Sequence, residues 1–248
     1  MVDFICGEAV NPPVCSRDMT IAIVGGTGHE GFGLVLRLAK VGERVVIGSR
    51  SEERAVASAE KARQILGADA AVEGAENAAA VAAAAEVVLV TVPFAGQAEI
   101  YKGIHDAVHE GVVVCDTTTP LATAVGGRPW QVLRPWQGSA AEQAKEILPK
   151  GTRLVAGFHT VSSEALQDLE RTLSGDVLVC GDDPEAKATV GALVEKIPGL
   201  RWVDCGRLTS ARITEPLTAL MIDVNRAYGI HEAGIAITGR DAWGRPGS

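Results

Sequence analysis

Between Gly25 and Gly31 the sequence GGTGHEG places Gly26, Gly28 and Gly31 in the spacing G-x-G-x-x-G. Directly after a strand and at the start of a helix, that spacing builds an anion cradle. The first glycine allows the tight turn, the second lets the backbone approach a pyrophosphate, and the third lets helix and strand pack closely. The unpaired N–H groups of the helix start face the anion, and Thr27, His29 and Glu30 lie in the same turn. Further on, where a carboxylate would bind a ribose 2′-hydroxyl and repel a 2′-phosphate, the chain has Ser49 and Arg50. A hydroxyl and a guanidinium fork suit a phosphate dianion, and Arg54, one helical turn beyond, adds a third contact. The expected ligand is NADP rather than NAD. The competing reading makes these arginines ordinary surface charges paired with Glu52 and Glu53.

Positioning such a cradle requires alternating strands and helices, and the hydrophobic pattern supplies them. IAIV after Thr20 reads as a strand, FGLVLRLAKVG as a helix closed at Gly42, RVVIGSR (44–50) as a second strand, and 51–66 as a helix capped by Ser51. A short strand near Val72 and an Ala-rich helix at about 76–85 follow. VVLVTVP (87–93) and VVVCD (112–116) are continuous apolar runs of strands buried on both faces, joined by a helical crossover. Residues 117–138, rich in Pro, Gly and Trp, break the pattern as a domain boundary or an active-site loop. Beyond them the pattern predicts a helix at about 139–148, a strand in RLVAGFHTV (153–161), and a short helix near 163–173. DVLVCGDD (176–183) is a further strand, followed by a helix entered at Asp183-Pro184 and a strand in LRWVDCG (200–206). One long, mostly apolar helix is expected over about 209–229, which must pack against a neighbouring domain or a second subunit; a homodimer is expected.

Composition narrows the class. Hydrophobic residues are 47% of the 248 and aromatics only 4%, so the core is aliphatic, as suits buried parallel strands. A net charge of −8 argues against coating nucleic acid, so any anionic ligand must be held locally. The five cysteines are odd in number and form no C-x-x-C pair, as expected of free thiols in a reducing cytoplasm. No apolar run reaches the roughly 20 residues of a membrane span, and no signal-peptide order is seen. Residues 1–18 read as a disordered leader, with Met1 and Met19 both open as starts.

Val92-Pro93-Phe94 and Thr117-Thr118-Thr119 fall at the carboxyl ends of strands, the edge at which doubly wound sheets bind ligands, where backbone contacts to a nicotinamide are expected. His159 follows a strand, where it serves either a ligand or the structure. His105 and His109 share an expected helix face but lack a third ligand, so no metal site is expected. No lysine follows Lys196, so a C-terminal lysine acid is missing.

Taken in order, GGTGHEGFGLVLRLA, IGSRSEER, VTVPF, GFHTV, VCGDDPEAK and LTSARITEPLTALMIDVNRAYGIHEAGI resemble the F420-dependent NADP oxidoreductases, from about Thr20 to Gly239. The resemblance implies an α/β fold: a Rossmann-type doubly wound parallel sheet with a smaller C-terminal α/β part. The implied organisation is an NADP-binding domain over 19–138 and a C-terminal domain over 139–248 that completes the F420 cleft. The activity implied is hydride transfer between NADP(H) and the deazaflavin coenzyme F420. Thr27 to Glu30, Ser49, Arg50, Arg54, Val92 and Thr118 would contact NADP, with Pro93 beside them. His159, Val161 and Ala233 would lie near the deazaflavin, with Ser163 at the matching position beyond the HTV stretch. His29 stands where the family commonly has Asn, Arg54 where it has Lys, and Ser162 where it has Pro. Such chemistry needs positioning rather than an acid–base triad, and no catalytic side chain is expected. The coenzyme's phosphate and acidic tail call for local basic residues; Arg128, Arg134, Arg207 and Arg212 are the candidates. An NADP-dependent reductase of a small imine or carbonyl compound and a non-catalytic NADP sensor remain the alternatives, and the physiological direction stays open.

Overall fold

Period-2 alternation along the apolar runs decides which helix each strand residue meets. The computed structural model describes residues 20–239; the expected leader at 1–18 lies outside the described residues. In chain order the elements are β1 (Thr20–Val24), α1 (His29–Lys40), β2 (Arg44–Ser49), α2 (Glu52–Leu66), β3 (Val72–Glu76), α3 (Asn77–Ala83), β4 (Val87–Val90), α4 (Phe94–Ile104), β5 (Val113–Asp116) and α5 (Ala140–Ile147). They continue as β6 (Arg153–Ala156), α6 (Ser163–Gln167), β7 (Gly175–Gly181), α7 (Pro184–Glu195), β8 (Leu200–Asp204), α8 (Ala211–Thr214) and α9 (Leu217–Tyr228).

The strands form one eight-stranded sheet of order β3-β2-β1-β4-β5-β6-β7-β8. Strands β1 to β6 run parallel, β7 is antiparallel to β6, and β8 is parallel to β7. Ile21, Ile23, Val45, Ile47, Val87 and Leu89 point to one face, where they pack with α1, α2 and α7 through Leu34, Ala59 and Val190. Ala22, Val24, Val46, Val88 and Val90 point to the other, against Ala80, Tyr101 and Ala144 of α3, α4 and α5. Helices on both faces of a largely parallel sheet make the expected doubly wound architecture. The sheet runs on through β6, β7 and β8 without interruption.

Three expectations change in detail. The last apolar stretch is not one helix: a 3-10 turn at Leu208–Ser210 leads into α8, which gives way to α9 at Glu215-Pro216. Pro216 has no N–H to donate and sits just before the first residue of α9, the position at which proline is tolerated. Helix α6 ends at Gln167 rather than near 173. The left-handed residue of the glycine turn is Gly25 (φ 79°), next to Gly26. His105 and His109 share no helix face, because α4 ends at Ile104; His105 contacts Asp106, and the His109 ring contacts the carbonyl oxygens of Ala84 and Glu110. Among the described residues no group of His, Cys, Asp and Glu could hold a metal ion.

Candidate functional site

Strand order reverses between β1 and β4, so the loops leaving their carboxyl ends diverge and leave a crevice. A cleft of about 470 Å³ opens there. It gathers Gly28, His29, Glu30, Val92, Pro93, Thr118, His159, Val161, Ser163 and Ala233 from five separated stretches of sequence.

The glycine turn forms one wall. Gly25 accepts from the Gly28 N–H and donates to Gly48 O, and Phe32 N–H reaches Gly28 O as α1 begins. A Cβ on Gly31 would lie 2.4 Å from Thr91 Oγ1 and 2.6 Å from Gly25 O, so only glycine lets α1 start this close to β1 and β4. A Cβ on Gly26 would press into Ile23 O at 2.9 Å, whereas one on Gly28 meets only Gly25 O at 3.3 Å. Gly28 therefore turns an open backbone face to the cleft. Gly26 and Gly31 hold the turn, and Thr27 is exposed beside it. Glu30 is half-buried, and the burial of its carboxyl raises its pKa to about 8, opposed by hydrogen bonding to Thr117. Near neutrality this carboxyl is largely protonated, which lessens repulsion toward an anionic ligand.

Ser49, Arg50 and Arg54 stand apart from the cleft lining, at the end of β2 and the start of α2. Ser49 is 7% exposed, and its hydroxyl oxygen accepts the Ser51 N–H at 3.3 Å, leaving its proton to donate. Ser51 caps α2 by accepting from Arg54 N–H and donates to Glu53 Oε2 at 2.6 Å. Arg50 and Arg54 are exposed and enter no ion pair among the described residues, so pairing with Glu52 and Glu53 does not occupy them.

The opposite wall follows β6. Gly157 N–H bonds Asp116 O, and Phe158, fully buried, adopts a left-handed backbone (φ 66°). A bulky residue held there costs on the order of 1–3 kcal/mol, sustained by its surroundings. The bend turns His159 into the cleft. His159 is 7% exposed, neither ring nitrogen has a partner among the described residues, and burial alone lowers its pKa to about 4. It is a neutral imidazole at physiological pH with a free donor and a free acceptor. Buried polar groups left unmade are costly, and their presence in a cleft marks a place for a ligand. Thr218 Oγ1 donates to His159 O at 2.6 Å and meets Thr119 Oγ1 at 2.8 Å, tying α9, the 117–138 loop and the histidine turn together.

Arg37 holds this wall on α1. Its guanidinium donates to the carbonyl oxygens of Leu166 (2.9 Å), Arg171 (2.9 Å), Ala165 (2.8 Å) and Asp168. One turn earlier, a Cβ on Gly33 would sit 2.6 Å from Leu166 Cβ, so glycine admits α6. Gln167 Nε2 donates to His29 O at 2.9 Å. After α9 the chain returns along the cleft rim: Ala233 N–H bonds Asn225 Oδ1, Ser162 Oγ donates to His231 O, and Asp176 N–H bonds Ile235 O. This return brings Ala233 into the cleft lining that Val161 also borders.

Beneath the cleft lies a buried polar floor. Asp116 accepts from Gln97 Nε2 at 2.6 Å and Thr118 N–H at 2.9 Å, and burial raises its pKa to about 6. Glu215, 1% exposed, accepts the Ala140 and Ala141 N–H groups at the start of α5, and burial raises its pKa to about 8.

Several lining residues escaped sequence reasoning. Thr218, Met221, Ile222 and Asn225 line the cleft from α9 at i, i+3, i+4 and i+7. That spacing, legible in the sequence, marks a helix face whose partner is the cleft. Of the arginines offered for an acidic tail, Arg212 is bound to both oxygens of Glu142 and to Gln137 O. Arg207 follows β8, whose end lies at the opposite edge of the sheet because β7 and β8 run against β6.

Residues 20–120 match the family described as NADP oxidoreductase, coenzyme F420-dependent. An F420-dependent NADP reductase of Methanothermobacter thermautotrophicus is 42% identical over 222 residues, covering 89% of this chain and 95% of that protein. One from Methanocaldococcus jannaschii is 41% identical over 223 residues, covering 89% and 98%. A solved structure from Arthrobacter sp. FB24 aligns with a TM-score of 0.75 at 27% identity, covering 89% of this chain and 99% of that one. At 41–42% identity over nearly the full length of these reductases, the chain belongs to the F420-dependent NADP oxidoreductase family.

Proposed function

We propose that this chain transfers a hydride between NADP(H) and the deazaflavin coenzyme F420, bound face to face in the β1/β4 cleft. The observation that carries the reading is His159, buried, neutral and unpartnered at both ring nitrogens, opposite the glycine turn. When bound, the two coenzymes supply the hydride donor and acceptor; the protein's own part is placement.

In this reading Gly26 and Gly31 shape the turn, and the backbone of Thr27, Gly28, His29 and Glu30 receives the pyrophosphate. Ser49, Arg50 and Arg54 take the 2′-phosphate. Val92, Pro93 and Thr118 border the nicotinamide, with Thr118 fixed through its hydroxyl to Val92 O at 3.3 Å. His159 offers its N–H to a ring carbonyl of the deazaflavin, while Val161, Ser163 and Ala233 close around the ring and exclude water. No side chain exchanges a proton with the reacting carbons. Residues 19–138 serve as the NADP-binding part and 139–248 as the smaller part that completes the cleft.

The free thiols of Cys115, Cys180 and Cys205 favour a cytoplasmic setting, and no helix among the described residues is long and apolar enough to cross a membrane. The exposed Ile213, Leu220 and Tyr228 on α8 and α9 favour a homodimer, which sedimentation equilibrium tests. For the activity, purified protein is mixed with NADPH and oxidised F420 and the deazaflavin absorbance band is followed. Loss of the band supports the reading. NADPH oxidation by a small imine with an unchanged deazaflavin band overturns it.

A further inference from the structure

The 117–138 loop folds back on itself. Leu121 bridges Val132, Ala122 N–H bonds Gln131 O at 2.8 Å, and Leu133 N–H bonds Pro120 O at 2.7 Å. This short ladder starts at Thr119 and Leu121, both in the cleft lining, turns through Ala122–Val125, and brings Trp130 back beside its Gln131 rung. Helix α9 approaches the same point from the other wall. Ile222 and Asn225 line the cleft, and Arg226, one turn beyond Ile222, sets its guanidinium 4.3 Å from the centre of the Trp130 ring. Arg128 lies 5.9 Å from the same ring.

Two guanidinium groups gathered on one ring repel each other, and the ring's attraction offsets only part of that cost. Asp223 pairs with Arg226 at 3.2 Å and balances one of the two charges. Arg128 enters no ion pair among the described residues, and its side chain is exposed. The rim is thus a local excess of positive charge on a chain whose net charge is −8. A guanidinium stacked on an indole keeps its N–H edges free in a fixed plane, the geometry that receives phosphate and carboxylate oxygens.

We propose that Trp130, Arg128 and Arg226 form a subsite for the anionic tail of the deazaflavin coenzyme, receiving its phosphate and carboxylates as they leave the cleft. The inference rests on the hydride-transfer reading above. It replaces Arg207 and Arg212 as tail ligands with an arginine on α9 that composition and spacing did not single out. The ring of the coenzyme is held by the cleft, the tail by the rim, so the rim sets discrimination between deazaflavins that share a ring and differ in charge.

The test compares two acceptors in steady-state assays with NADPH: F420, and a deazaflavin with the same ring and ribityl chain but no phosphate or carboxylates. Wild-type protein and the Arg128→Gln/Arg226→Gln double variant are assayed after melting curves establish that the exposed substitutions leave Tm within about 2 °C. The expected result is a rise of about tenfold in the KM for F420 in the double variant, from two exposed charge contacts, and loss of the wild-type preference for F420 over the tail-less acceptor. Added salt should raise the wild-type KM for F420 in the same sense. Equal KM values for the two acceptors in wild-type protein, or a variant that shifts both KM values alike, overturns the subsite alone. Wild-type protein that reduces neither acceptor overturns the hydride-transfer reading and the subsite with it.

Discussion

Replacing Arg37 by Met tests how the histidine wall is held. The substitution keeps the length and apolar stem but removes the donors to Leu166 O, Ala165 O, Arg171 O and Asp168 O. A hydrogen bond from a charged donor contributes about 1.5–3 kcal/mol net. Only the bond to Leu166 O is fully buried; the other three are part-buried, so water can take up those carbonyls. Because the four act as one unit they do not add, and a total loss of roughly 3–5 kcal/mol is expected. Urea unfolding should then show a lower midpoint at an unchanged slope. Below the transition, the amides of Leu166 and Asp168, which bond Ser162 O and Glu164 O, should exchange faster, since the segment loses its anchor. Arg37→Lys, with one donor group in place of a fork, should recover part of both effects. A loss below about 1 kcal/mol with unchanged exchange at those two amides would show that α6 is held by apolar packing through Gly33 and Leu166, and the reasoning fails.

Arg50→Ala, at an exposed position without an ion pair among the described residues, should weaken NADP by roughly 10–100-fold and NAD by less than about twofold, with Tm unchanged; equal loss for both dinucleotides refutes the 2′-phosphate assignment. Gly31→Ala would place a methyl 2.4 Å from Thr91 Oγ1 and 2.6 Å from Gly25 O, and should cost about 1–3 kcal/mol in stability together with NADP affinity measured by calorimetry. The pKa of Glu215 is raised from 4.5 to about 8, so its carboxyl binds a proton when folded that the unfolded chain has released; stability is full below about 4.5 and is lost as pH rises through about 8. Glu215→Gln, whose single carbonyl oxygen replaces one of the two carboxyl oxygens that accept from Ala140 and Ala141, should lower Tm at all pH values but flatten this limb of the Tm-against-pH curve, and an unaltered limb counts against a buried neutral carboxyl there.

What the sequence displayed was local. The strand, glycine turn and helix at 20–40 were legible because burial on both sheet faces demands continuous β-branched runs, and because close helix–strand packing leaves no alternative to glycine at 31. The antiparallel entry of β7 was not legible. The stretch between Ala156 and Gly175 is long enough for a crossover, but its helix is only five residues and packs on α1 instead of spanning the sheet. The break at Pro216 was missed because apolar residues on both sides keep one helical spacing. The role of Arg37 was not legible, since carbonyl oxygens that ligate a guanidinium leave no trace in side-chain type. His159 could be placed beside a ligand only by resemblance; its two unpartnered nitrogens are a property of the fold.

The reversal at β7 also divides the sheet's two edges between different uses. Every group assigned to a coenzyme lies at the edge where β1, β2, β4, β5 and β6 end, or on the helices and loops beside it. The other edge, where β7 and β8 end, is fastened by ion pairs, Lys145 to Asp182 and Arg153 to Asp183, and by the Leu208 N–H on Asp182. Chain added around Gly206 would project from the side of the molecule remote from the β1/β4 cleft. The fold thus provides an anchoring side for tethering the protein to a surface or to another enzyme, leaving the entrance of the cleft unobstructed.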